Sequence, residues 1–235
     1  MSKKFKRIEK KFALSKSEYE YLKKNFPIYL EKDTNYLYKV SSLYFDTEDF
    51  QFTKDNVRKN SYKEKFRIRK YGDTNTSVFL EIKRKFQGIT DKRRIEIKEE
   101  EVQDYLSNIQ TYNRTFNQEE EEYIYNEIQW LFRRLELQPK VYIHYLREAY
   151  IDKENNVRLT FDKNIKYRTT DLDILECFSN DKLVAPEIDY LMEIKTPSGL
   201  PKWLEEILTE LNIKKVEFSK YKQVYQRHIQ GQILC

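Results

Sequence analysis

The stretch that decides the fold runs from Tyr62 to Lys98. It reads Tyr62-Lys-Glu-Lys-Phe-Arg-Ile-Arg-Lys-Tyr71, then Ser77-Val-Phe-Leu-Glu-Ile-Lys-Arg-Lys85, then Asp91-Lys-Arg-Arg-Ile-Glu-Ile-Lys98. Alternate side chains of a β-strand point to opposite faces. Lys63, Lys65, Arg67 and Arg69 therefore share one face of the first run, with Phe66 and Ile68 on the other. Glu81, Lys83 and Lys85 stand opposite Leu80 and Ile82, and Lys92, Arg94, Glu96 and Lys98 stand opposite Ile95 and Ile97. Three successive strands thus carry cations on one side and apolar groups on the other. An antiparallel sheet with one wetted face would give this pattern. So would a cationic surface that holds a polyanion. Residues 58–98 contain fourteen Lys/Arg against five Asp/Glu, a local charge of +9, whereas the whole chain is only +5. The excess is concentrated in this segment.

Working outward, Lys6 to Leu14 reads as a first strand with Arg7, Glu9 and Lys11 on one face. Ser15 and Glu18 form a capping box for a helix that runs to about Phe26 and stops at Pro27. Residues 38–46 read as a strand, and Thr47 to Val57 as a turn of helix and a loop. Gly72-Asp-Thr-Asn and Gln87-Gly88 are the turns within the basic segment. Residues 99–136 reverse the charge, with ten Asp/Glu against three Lys/Arg. Val102, Tyr105, Leu106 and Ile109 have helical spacing, as do Ile124, Ile128, Leu131 and Leu135. The run Glu119–Glu122 lies in the first turn of that second helix and complements its dipole; metal binding is the alternative reading of the run. Strands resume at Lys140 to Tyr150, where Tyr145 and Arg147 share a face. Asn155-Asn156 turns the chain into Val157 to Asp162, where Arg158, Thr160 and Asp162 align. Glu193 and Lys195 align in Tyr190 to Lys195. Pro201 opens a helix through Leu211. A short strand ends at Val216–Phe218, and Ser219-Lys220 leads into a terminal helix.

The chain has 235 residues, 39% hydrophobic and 35% charged, with four glycines and five prolines. That suits one domain over residues 1–235, with a substantial core and no long linker. No apolar run approaches the roughly 20 residues of a membrane span. The basic start lacks a following apolar region, so no secretory signal is expected. Cys177 and Cys235 form neither a metal spacing nor a disulfide framework, and a cytoplasmic location is expected. Nucleotide-binding glycine motifs are absent. His144 and His228 offer no Ser-His-Asp or Cys-His arrangement, which disfavours covalent catalysis. The expected fold is α+β: an antiparallel β-barrel tunnel of about eight strands with a charged lumen, flanked by amphipathic helices. A lumen so rich in cations needs counterions, and a triphosphate or polyphosphate suits it. Phosphoryl transfer requires charge and alignment more than covalent chemistry. A carboxylate such as Glu193, with Glu9 or Glu81, would anchor Mg²⁺ or Mn²⁺.

Several motifs occur in order along nearly the whole chain: Arg7-Ile-Glu9-Lys-Lys11-Phe, Ser42-Leu-Tyr-Phe-Asp46, Phe66-Arg67-Ile-Arg69-Lys-Tyr71-Gly72 and Leu80-Glu81-Ile-Lys83. Tyr145-Leu-Arg147, Val157-Arg158-Leu-Thr-Phe-Asp162, Met192-Glu193-Ile-Lys195 and Phe218-Ser219-Lys220-Tyr221 follow. In these the chain resembles the VTC-domain polyphosphate polymerases of the triphosphate tunnel metalloenzyme (CYTH-like) superfamily. The resemblance implies a tunnel open at both ends, and transfer of the γ-phosphate of ATP to polyphosphate with release of ADP. It implies phosphate-handling roles for Lys11, Arg67, Arg69, Lys83, Arg147, Arg158 and Lys220. Substrate contacts are expected from Lys92, Arg94, Tyr145, Lys195 and Ser219, and metal binding from Glu193. The superfamily's Glu-x-Glu-x-Lys reads Arg7-x-Glu9-x-Lys11 here, with a cation in place of one acidic ligand. That departure is closer to the polymerase branch than to the triphosphatases. A triphosphatase and a non-catalytic polyphosphate- or RNA-binding module remain the alternatives. ATP and polyphosphate are the expected partners, with no nucleic acid. A membrane protein is a further candidate partner, with the acidic helices at 99–136 as its docking surface.

Overall fold

The computed structural model describes residues 8–73, 77–87, 89–109, 111–176, 178 and 180–233. Lys6, Arg7, Thr74, Asn75, Gly88, Cys177 and Cys235, which figure in the expectations above, lie outside the described residues. The strands are β1 (Ile8–Leu14), β2 (Glu31–Asp46), β3 (Tyr62–Tyr71), β4 (Val78–Phe86), β5 (Ile89–Ile97), β6 (Gln138–Asp152), β7 (Val157–Arg168), β8 (Lys182–Leu183) and β9 (Tyr190–Thr196). They form one nine-stranded sheet in the order β1-β9-β7-β6-β2-β3-β4-β5, with β8 paired to β7. Among the described residues the pairings leave β1 and β5 as the ends of this order. The helices are α1 (Lys16–Lys24), α2 (Gln51–Val57), α3 (Val102–Ser107), α4 (Glu119–Leu135), α5 (Lys202–Glu210), α6 (Lys220–Val224) and α7 (Gln230–Ile233). A π-helical segment, Tyr225–Ile229, separates the last two.

The chain divides into two compact units, each assembled from three stretches. The first comprises residues 1–39, 145–165 and 183–219. Its core joins Phe12 and Leu14 of β1, Leu159 and Phe161 of β7, and Met192 and Ile194 of β9 to Leu22 of α1 and Leu204 and Leu208 of α5. Each such aliphatic or aromatic side chain contributes roughly 1.5–3 kcal/mol by leaving water. The Ser15/Glu18 capping box forms as expected: the Ser15 side chain accepts from the Glu18 N–H, and the Ser15 N–H donates to Glu18 Oε2 at 2.6 Å. The helix stops at Lys24, with Asn25 as its C-cap, two residues before the expected end. Its inner face is tied down by Glu148, whose Oε2 accepts from Tyr19 Oη at 2.6 Å, Tyr36 Oη at 3.0 Å and Lys23 Nζ at 3.1 Å.

The second unit comprises residues 40–144, 166–182 and 220–235. The apolar faces of β3, β4 and β5 (Phe66, Ile68, Leu80, Ile82, Ile95, Ile97) pack with Tyr105 of α3 and Ile128, Leu131 and Phe132 of α4. The spacing predicted for α4 therefore buries the predicted face. Its acidic first turn is Glu119–Glu122, and no cluster of three His, Cys, Asp or Glu suited to a metal exists among the described residues. One turn further on, Glu127 bridges Arg84 and Arg93, binding the latter at 2.8 Å. These two arginines lie on the face of β4 and β5 opposite the predicted cation row.

Two expectations about strands need correction. The strand predicted at 38–46 begins at Glu31. Glu31-Lys-Asp-Thr-Asn lacks apolar alternation because those positions are largely exposed, so the sequence carries no burial signal there. Conversely, Val216–Phe218 forms no strand; an isolated bridge between Phe12 and Lys215 stands in its place.

Candidate functional site

In the second unit the register of β2 to β5 turns the alternation of single strands into cross-strand rows. Lys65, Lys83 and Lys92 are directly opposed across β3, β4 and β5. The next row is Tyr44, Arg67, Glu81 and Arg94, and the next Ser42, Arg69, Phe79 and Glu96. Directly opposed residues share a face, so five of the predicted residues (Arg67, Arg69, Lys83, Lys92 and Arg94) do come together.

Glu81 is their centre. It is 1% exposed. Its Oε2 accepts from Arg67 Nε at 2.7 Å and lies 4.0 Å from Arg69 Nε, and its Oε1 lies 2.5 Å from Lys92 Nζ. Burial alone would push the carboxyl up, but Arg67, Arg69 and Lys92 outweigh it and hold it at about 2. Arg69 also donates to Ser42 Oγ at 3.0 Å, and the Arg94 guanidinium stands 4.5 Å from the Phe79 ring. One buried carboxylate thus orients several cations and leaves the row with an excess of positive charge.

The first unit repeats the device with different residues. Glu9, Lys195 and Arg158 are directly opposed across β1, β9 and β7, and Lys11, Glu193 and Thr160 form the next row. The Glu193 carboxylate is 2.8 Å from Lys195 Nζ and 3.4 Å from Lys11 Nζ. Lys11 also reaches Glu9 at 3.1 Å and the Phe218 carbonyl at 3.1 Å. Burial disfavours the Glu193 anion, yet Lys11, Lys195 and Arg147 hold its carboxyl well below the usual carboxylate range. Burial likewise works against the Lys11 ammonium, and Glu193 and Glu9 reverse it and raise its pKa.

The remaining predicted residues of this unit occupy distinct settings. Arg147 makes a bidentate pair with Asp162, Nε to Oδ1 at 2.6 Å and Nη2 to Oδ2 at 2.8 Å. Its guanidinium lies 5.2 Å from the Tyr145 ring. Arg158 donates to Asp33 Oδ2 at 3.0 Å, within the part of β2 that sequence alternation does not reveal. Ser219 follows Phe218, whose carbonyl Lys11 holds, and is half-buried. Lys220, in the second unit, opens α6.

Sequence reasoning missed Tyr44. It lies in the row of Arg67, and its hydroxyl accepts from Arg67 Nη1 at 3.1 Å. The alternation of Ser42, Tyr44 and Asp46 was the available signal. Asp162 was placed on the face of Arg158, but its pairing with Arg147 depends on the β6–β7 register, which alternation alone does not give.

A Mn²⁺ or Mg²⁺ ion fits this donor set in one manner. Glu193 is buried and ionised, and a small hard cation binds through one or two carboxylates while taking its other oxygens from phosphate and water. A cage made wholly of protein carboxylates is not present among the described residues. Among them, no helix is long and apolar enough to cross a membrane.

The VTC domain model matches residues 6–228. Two solved structures share the fold. A candidate adenylate cyclase from Bacillus halodurans is 16% identical, with 94% of this chain and 96% of that one covered at a TM-score of 0.55. A candidate adenylyl cyclase from Hippeastrum, described with a dominant triphosphatase activity, is 17% identical, with 94% and 95% covered at a TM-score of 0.57. The sheet order and this match over nearly the full length lead to one assignment: the chain shares its fold with those two structures and belongs to the VTC domain family.

Proposed function

We propose that this VTC-family chain is a metal-dependent polyphosphate polymerase that transfers the γ-phosphate of ATP to the end of a polyphosphate chain and releases ADP. The observation that carries the reading is the pair of cation rows, each gathered round one deeply buried carboxylate, Glu81 in one unit and Glu193 in the other. Such rows suit a chain of phosphates, whose repeated charges need many fixed donors, and they supply charge stabilisation without reorganisation.

Arg67 and Arg69 would bind non-bridging oxygens in the fork geometry that guanidinium allows. Lys65, Lys83 and Lys92 would act as point charges on the adjoining row. Arg147, with Nε and Nη2 committed to Asp162, would present Nη1 to the substrate. Arg158, Lys11, Lys195 and Lys220 would hold further phosphates, with Arg94, Tyr145 and Ser219 as neighbouring contacts. Glu193 would hold the Mn²⁺ or Mg²⁺ ion, which when bound supplies charge neutralisation at the phosphate oxygens. The terminal phosphate oxygen of the acceptor attacks the γ-phosphorus. The bond from that phosphorus to the β,γ-bridging oxygen breaks, and ADP leaves with the electron pair. No protein nucleophile is needed.

The test is incubation with ATP, Mn²⁺ and a short polyphosphate primer, read on a gel. A ladder of lengthening chains is expected, and Glu193→Gln should reduce it about 10²-fold or more. Full activity in that variant would remove the metal role. A second reading, hydrolysis of a triphosphate by water in the same rows, draws on the activity described for the Hippeastrum protein. Orthophosphate without a ladder would favour it.

A further inference from the structure

Tyr44 has an unusual setting for a buried phenol. It is 5% exposed, and its ring is stacked on Tyr221, with centroids 4.8 Å apart and an interplanar angle of 18°. Its oxygen accepts from Arg67 Nη1 at 3.1 Å. Charged and titratable groups of two elements, among the described residues, face it. From β3 come Lys65, Arg67 and Arg69, behind which Glu81 of β4 holds the two arginines. From α6 comes Tyr221, whose hydroxyl donates to Asp46 Oδ2 at 2.9 Å.

Lys and Arg are donors only. The donor on the Tyr44 oxygen, Arg67 Nη1, can therefore give it a hydrogen bond but cannot take its proton. Burial opposes loss of that proton, but Arg67, Arg69 and Lys65 outweigh burial and bring the phenol down to about 7. Its stacking partner behaves in the opposite way, because burial and Asp46 keep the Tyr221 phenol neutral.

We propose that Tyr44 is a proton-exchanging positioning residue of the Arg67/Arg69 row. While the row is empty its phenolate is a second counterion of Arg67, at Nη1, beside the Glu81 carboxylate at Nε and Nη2. A polyphosphate arriving at Arg67 and Arg69 replaces that counterion, and Tyr44 takes up one proton from solvent. The inference rests on the reading that this row binds phosphate. It has two consequences. Binding is coupled to proton uptake, so affinity declines above neutrality by more than the ligand's own ionisation explains. The loss of the phenolate charge also turns the Arg67 Nη1 donor to the substrate at the moment of binding, while Glu81 keeps Nε and Nη2.

The experiment uses the full chain and inorganic tripolyphosphate. The ultraviolet band of tyrosinate is followed against pH in the wild type, Tyr44→Phe and Tyr221→Phe. The wild type and Tyr221→Phe should each show one phenol titrating near neutrality, and Tyr44→Phe should not. Tripolyphosphate added at about pH 8 should erase that band. Calorimetric titration at about pH 7.5 and about pH 8.5 should show the dissociation constant rising by up to about tenfold more in the wild type than in Tyr44→Phe, as uptake of one proton requires. The ligand's own titration cancels in that comparison. Loss of the transition in Tyr221→Phe, no phenol titrating below about pH 9, or equal pH dependence in wild type and Tyr44→Phe would overturn the inference while leaving phosphate binding intact. Absence of tripolyphosphate binding at every pH would overturn the reading of the row, and the inference with it.

Discussion

Glu81 is the residue on which the second unit's cation row depends. Removing one partner of a buried ion pair leaves uncompensated charge, at a cost of about 3–5 kcal/mol. Glu81→Gln should therefore lower the unfolding free energy obtained from urea titration by an amount in that range. Tripolyphosphate should restore part of the loss, because a ligand that binds only the folded state stabilises it. Lack of any rescue would mean that the row does not hold phosphate. The pH dependence has a definite sign. The folded carboxyl titrates at about 2 and its ordinary value is 4.5. Its contribution is whole above the ordinary value and is lost as pH falls through the folded one. Glu81→Gln should flatten the acid limb of the stability curve in that window, which pH-dependent urea titrations would measure.

Element-scale order rests on buried side-chain caps and hubs. Asp46, fully buried at the end of β2, accepts from the Phe52 N–H at 2.8 Å and the Thr53 N–H at 3.1 Å. It also takes Thr53 Oγ1 at 2.9 Å and Tyr221 Oη at 2.9 Å, so one carboxylate fixes both α2 and α6. Asp46→Ala leaves these donors unsatisfied and should cost about 1–3 kcal/mol or more in thermal or urea unfolding. Ser15→Ala, at the exposed cap of α1, should cost about 1 kcal/mol. Comparable losses in the two variants would mean that the Asp46 hub adds nothing to a simple cap. The elements also show what was legible. Alternation fixed the face of each cation, because a slip of one residue would move the whole apolar set to water. Phe66, Ile68, Leu80 and Ile82 lie in the core, and Arg67, Arg69, Glu81 and Lys83 lie opposite them. The first half of β2 was hidden because its residues are exposed, and the Asp33–Arg158 pair was hidden with it.

At the scale of the whole molecule, the sheet order joins strands far apart in sequence. Glu193 meets Lys11 because β9 pairs with β1, and no local pattern encodes that pairing. The family resemblance implied one site for both residues but did not give the pairing. The same scale carries the chemistry. A protein that binds a polyanion through many cations shows strong salt dependence, by the same counterion release that governs binding to the phosphate backbone of nucleic acids. Tripolyphosphate affinity should therefore fall steeply as salt is raised, and Arg67→Ala should make that slope shallower as well as weaken binding. An unchanged slope would place the phosphate elsewhere. The most direct measurement is to supply ATP labelled at the γ-phosphate together with an unlabelled primer, and to follow where the label goes. For a polymerase, label is expected at the ends of lengthened polyphosphate, with one ADP per phosphate added, and that incorporation is lost in Arg67→Ala. Label recovered only as orthophosphate, with the primer unchanged, would contradict the polymerase reading.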